Sequence, residues 1–153
     1  MTGVVKGILI SVTVLIVVIA IMIGAGIYWL SSHGPALLEK GKQNVVEGQN
    51  FGKGTDNQGC LTEALARHRR DTSMSGALAT QLFLTSCLPN SRETPEFCTE
   101  VPSRMEFVKS AQWQTERCLK ENLRDSYCPQ IFAQVQSFCE MKERRKSRDR
   151  ESR

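Results

Sequence analysis

The sequence predicts an all-α chain: one N-terminal transmembrane helix followed by a small disulfide-stapled helical domain of about four to five short helices. Three observations predict it. A run of 23 residues without a charge, Ile8–Leu30, stands near the start of the chain. All six cysteines fall after that run. Beyond Cys60, apolar side chains recur at helical spacing and nowhere alternate as in a strand.

The apolar run follows a short segment, residues 1–7. As a helix it spans roughly 35 Å, more than the ~30 Å hydrocarbon core of a bilayer. Tyr28 and Trp29 close it, where amphipathic rings favour the interface. A cleaved signal peptide has a shorter apolar region, about 7–15 residues, and ends at small residues. This run ends Ile27-Tyr28-Trp29-Leu30 and therefore reads as a retained single-pass signal-anchor. Ala20 and Gly24 form a small-xxx-small pair, which allows weak helix–helix self-association in lipid. Lys6 on one side and Lys40, Lys42 and Glu39 on the other leave orientation undecided by charge. The segment ending Lys6-Gly7, followed at once by a long apolar helix, resembles a type IV prepilin leader. The resemblance covers Met1–Leu30 and implies cleavage after Gly7 and assembly through the helix. It departs from the pilin pattern at Val12, which stands where an acidic residue is expected.

The cysteines are Cys60, Cys87, Cys98, Cys118, Cys128 and Cys139. No C-x-x-C occurs, which removes zinc knuckles, thioredoxin-type redox pairs and haem attachment. His33 and His68 are the only histidines and neither has a partner at ligand spacing. No metal and no cofactor are therefore expected. An even cysteine count beside an anchor reads as three disulfides in an oxidising compartment. The N-terminus is then cytoplasmic and the domain extracytoplasmic, periplasmic in a bacterium. Bridged residues on antiparallel helices lie symmetrically about the turn between them. Cys60 and Cys87 centre on Ser73-Met74, and Cys118 and Cys128 centre on Leu123, which would leave Cys98 with Cys139, one of the fifteen pairings that six cysteines allow.

Residues 31–59 read as a Gly-rich connector, holding six of the eleven glycines. Gly34, Gly41 and Gly48 recur every seven residues, so a helix over 36–49 would carry a glycine stripe. Each interior glycine costs roughly 1 kcal/mol against Ala, so either a partly helical connector or a frayed, flexible stalk is expected, with Asn50–Gly59 as loop.

The stapled domain, residues 60–142, opens with Leu61, Ala64, Leu65 and His68 on one helical face. The chain turns at Asp71-Thr72-Ser73, and Ser73 is an N-cap. The next helix places Met74, Ala77, Leu78 and Leu82 on one face and ends at Leu88-Pro89-Asn90. Thr94-Pro95-Glu96 reads as the start of a short helix. Ser103-x-x-Glu106 is a capping box opening a helix to about Asn122, with Val108, Ala111, Thr115, Cys118 and Leu119 as its buried face. Pro129 starts the last helix, whose inner face is Ile131, Phe132, Val135, Phe138 and Cys139.

The formal charge of +4 resides at the C-terminus. Met141–Arg153 holds seven Lys/Arg and three Asp/Glu; outside it and Lys6, twelve basic residues meet thirteen acidic ones. A neutral domain with a basic tail does not suit nucleic acid. The tail, residues 143–153, reads as disordered or frayed helix. Anionic lipid headgroups or a wall polyanion would attract it, by roughly 1 kcal/mol per cation near a charged membrane. Cys128, before Pro129 at a helix N-terminus, has the setting of a reactive thiolate, but no resolving partner, and reads as cystine. Glu96/Glu100 and Glu116/Glu121 read as helix surface charges. No nucleophile motif is present. The expectation is thus a non-enzymatic, membrane-anchored extracytoplasmic interaction or accessory protein with a protein partner, such as an envelope-complex assembly factor or an immunity- or inhibitor-like protein. A pilin-like or secretion-assembly subunit is the alternative, and an enzyme of unrecognised type the second. Trp113 lies about 200° around the helix from Ala111 and is expected to face outward as a partner contact.

Overall fold

The computed structural model describes the backbone of residues 2–152 and the side chains of 12–28 and 38–152. It contains α1 (Thr2–Gly54), α2 (Asn57–Arg70), α3 (Met74–Cys87), a 3₁₀ turn η1 (Leu88–Asn90), α4 (Phe107–Lys120) and α5 (Cys128–Glu151). Among the described residues there is no strand, only an isolated bridge between Asp56 and Arg92. The chain divides into two compact units, Met1–Lys40 and Gly41–Arg153.

In the first unit, every described side chain from Val12 to Tyr28 is exposed. Among the described residues no helix is long and apolar enough to cross a membrane. The described side chains within the apolar run cover residues 12–28, fewer than the ~20 a spanning helix needs. Ala20 and Gly24 are exposed, with open space around Gly24. The side chains of the leader ending Lys6-Gly7, of Trp29 and of His33 lie outside the described residues.

In the second unit the expected loop over Asn50–Gly59 is corrected. α1 continues to Gly54, and only Thr55 and Asp56 separate it from α2. The reason is packing. A Cβ on Gly48 would stand 2.4 Å from the Phe83 carbonyl oxygen, and one on Gly52 would stand 2.6 Å from that of Cys87. The glycines let the backbones of α1 and α3 approach, and the contact offsets their low helix propensity. Phe51 packs 5.6 Å from the Phe83 ring, and Arg67 spans from that ring to Glu47, at 2.7 Å.

Asp56 caps α2 by accepting from Gly59 N at 2.8 Å. Its inner face is Leu61, Ala64, Leu65 and His68, as the spacing predicts. Ser73 caps α3 by accepting from Gly76 N at 3.2 Å. The inner face of α3 differs from expectation. Ala77 is buried, but with Gly76, Thr80, Phe83, Leu84 and Cys87, whereas Met74 and Leu78 are exposed. The cystine to α2 and the Phe83 ring select this face.

Residues 91–106 are irregular. Thr94-Pro95-Glu96 opens no helix, because Glu96 takes a left-handed backbone, φ 64°, and the segment closes in successive turns. The capping box does not form either. The Ser103 hydroxyl donates to Glu140 and accepts from Met105 N, and the Glu106 carboxylate takes Lys109. α4 therefore begins only at Phe107.

α4 is turned relative to expectation. Val108 is 71% and Leu119 52% exposed, while Ser110 and Cys118 are buried. A polar cluster holds this orientation. The fully buried Gln136 accepts from Ser110 at 3.0 Å and Gln114 at 2.6 Å, and donates to the Pro102 carbonyl at 3.1 Å. A satisfied buried amide costs little, and a broken one leaves several groups unpaired. α5 has the expected inner face and continues as helix through the basic tail to Glu151.

The core joins α2, α3 and α5, with Phe83, Leu84, Ile131 and Phe132 at its centre. Three disulfides clasp it: Cys60–Cys87, Cys98–Cys139 and Cys118–Cys128, with Cα–Cα distances of 5.8, 5.5 and 6.0 Å. No cysteine is free.

Candidate functional site

The six cysteines are all structural, so Cys128 offers no thiolate. Trp113 does not face outward. It is half-buried, with its ring edge-to-face at 5.7 Å from Phe132 and Arg117 5.5 Å above it. Its indole N–H is buried without a hydrogen-bond partner among the described residues. The same ring lines a small hollow of about 210 Å³ with Phe97, Val101 and Arg117. Of the acid pairs, Glu100 meets Arg117 at 3.6 Å and Glu121 meets Arg69 at 2.6 Å, both as surface ion pairs.

One constellation is invisible in the linear sequence. His68 is fully buried and its Nε2 lies 2.9 Å from Asp125 Oδ1. The same oxygen accepts from Tyr127 N and Cys128 N at 2.9 and 3.0 Å, capping the start of α5. Burial pushes the Asp125 carboxyl up, but the His68 hydrogen bond and the two backbone N–H donors outweigh it and hold the group below its ordinary value. The pair joins α2 to the start of α5.

A concave surface lies between η1 and α5, a groove of about 590 Å³. It is built from the sequence in three steps. Pro89 tightens the end of α3 into η1, setting Leu88 and Pro89 in the floor. Asn57 then fixes the adjoining segment. Its amide donates to the Leu88 carbonyl at 3.3 Å and to Ser91 at 2.7 Å, and accepts from Thr94 N at 3.1 Å. Finally α5 brings Phe138 and Met141 to the floor and Lys142, Arg145, Lys146 and Arg150 to the wall.

Two acids, Glu93 and Asp149, share the groove. Glu93 pairs with Lys142 at 2.9 Å. Arg145, Lys146 and Arg150 make no ion pair among the described residues. The groove thus joins an apolar floor to an excess of positive charge. A second face of α5, with Glu140, Glu143, Arg144 and Arg148, lines a hollow of about 660 Å³ beside Met105. There the signs are balanced. Among the described residues no group of three or more His, Cys, Asp or Glu is placed to hold a metal ion.

The signal for the groove was present in the sequence as Lys142, Lys146 and Arg150 at four-residue steps. It goes unread while the tail is taken as disordered, since only a helix aligns those positions. No family model matches the chain, and neither the curated proteins nor the solved structures contain a match.

Proposed function

We propose that the chain is a membrane-anchored, extracytoplasmic recognition protein that works by binding and not by catalysis. The observation that carries this reading is the joint placement of an uncharged apolar helix and a domain whose six cysteines are all paired. An apolar face exposed along residues 12–28, within a 23-residue uncharged run, has its natural solvent in lipid. Three cystines favour an oxidising compartment, which supports a domain lying across the membrane from the cytoplasm. Disulfides that hold a groove in shape lower the ordering cost of binding, which favours recognition. The groove between η1 and α5 is the surface best suited to that task.

Topology tests the proposal. One cysteine is added near Arg153, and spheroplasts are treated with a maleimide–polyethylene glycol reagent. The added thiol should be modified before the membrane is permeabilised, with the six native cysteines unreactive until reduction. Protection until permeabilisation, or six free thiols after rapid alkylation, would overturn the reading.

A further inference from the structure

We propose that the groove between η1 and α5 docks an acidic peptide segment that also presents an apolar side chain. The inference rests on the recognition reading above and adds the class of partner. Lys142, Lys146 and Arg150 rise along α5 in steps of four residues, about 6 Å each. An extended peptide repeats side chains on one face every two residues, at about 6.8 Å. Carboxylates at alternate positions of such a segment therefore run in near register with the cations. Lys142 is already engaged by Glu93, so the attraction falls on Arg145, Lys146 and Arg150.

The floor gives the second half of the code. Met141 is 46% exposed and adjoins Phe138 in the groove, an apolar seat for one side chain between the charges. Glu93 and Asp149 stand inside the groove. They oppose a uniformly anionic surface such as a bilayer, whereas a peptide can leave a neutral position opposite each. The helical course of α5 to Glu151 also lines these cations up along one wall of the groove.

The test uses the full oxidised chain in phosphatidylcholine nanodiscs and a fluorescein-labelled peptide, Glu-Ser-Leu-Ser-Glu-Ser-Glu, which presents three carboxylates and one leucine on a single face when extended, followed by anisotropy. The acidic peptide should bind, weaken as salt is raised, and outcompete its glutamine counterpart, Gln-Ser-Leu-Ser-Gln-Ser-Gln. Lys146→Glu with Arg150→Glu should weaken it by about tenfold or more, and Met141→Asp should weaken it as well. All three positions are exposed, so melting temperatures should hold. Equal binding of the glutamine peptide, or indifference to the double charge reversal, would overturn the proposal. So would association with phosphatidylglycerol vesicles that the charge reversal abolishes while the peptide fails to bind, since the groove would then be a lipid site. Failure of the chain to enter the discs would count against the anchored reading alone, and the same titration in plain buffer would still decide the groove.

Discussion

His68 stands at an inner-face position by helical spacing, and at that level it is one more buried side chain. Its partner, Asp125, is 57 residues away, and no periodicity could have named it. What the sequence did carry was half of the arrangement, an aspartate three residues before a helix start. The consequence is a pH dependence of fixed sign. Asp125 titrates lower in the folded chain than its ordinary 3.8. Its stabilisation is therefore complete above that value and is lost as pH falls through the lower folded value. Thermal melts between about pH 5 and pH 2 should show a loss of stability that is smaller in Asp125→Asn. Identical acid profiles would remove Asp125 from the account. Trp113 teaches the opposite lesson. With Ser110 and Cys118 on the inner face of α4, its ring meets Phe132 and does not face outward.

At the scale of elements, the errors share a cause. Periodicity finds helices but does not choose between two faces when both carry apolar groups. On α4, Cys118 belongs both to the apolar Val108–Leu119 stripe and to the true inner face with Ser110. The choice is made by Gln136 on another helix, which has hydrogen bonds to offer Ser110 and Gln114 and none for valine. The glycines of α1 follow a related rule. Propensity alone makes them helix breakers, whereas close approach to α3 makes them the residues that fit. Gly48→Ala raises helix propensity yet drives a methyl against the Phe83 carbonyl. It should destabilise the domain by about 1–3 kcal/mol, read by chemical denaturation. A neutral or stabilising result would mean that the α1–α3 contact is not as close as described. By contrast Ser73 and its turn were legible because a cap is local, closed within three residues.

At the scale of the whole molecule, the three cystines were the most readable feature. Each short-range pair is centred on a turn, and a turn is a local signal, so symmetry alone selected two bridges and left the third by remainder. The basic tail was not readable, since its helix grows out of a core that only the folded domain supplies. The Cys98–Cys139 bridge ties the irregular segment 91–106 to α5 across a separation of 41 residues. Replacing both cysteines with Ala should cost about 4 kcal/mol by loop-closure entropy, seen as a lower denaturation midpoint. Because Gln136 and Glu140 also hold the segment, the double variant should still unfold in a single transition. Two separated transitions would show that the segment and the helices are independently stable.

The order of the bridges has a consequence for biogenesis. Along the chain the first cysteine pairs with the second, but the third pairs with the sixth, around the fourth and fifth. A chain emerging N-terminus first meets its oxidant one thiol at a time. Joining neighbours in that order makes Cys60–Cys87 correctly and then joins Cys98 to Cys118, stranding Cys128 with Cys139. Correct pairing must then wait for Cys139 or pass through thiol–disulfide exchange. Cells lacking a disulfide isomerase should accumulate protein with the first bridge intact and the other four cysteines mispaired. Removing Cys98 and Cys139 together should relieve that dependence, because the two bridges that remain each join consecutive cysteines.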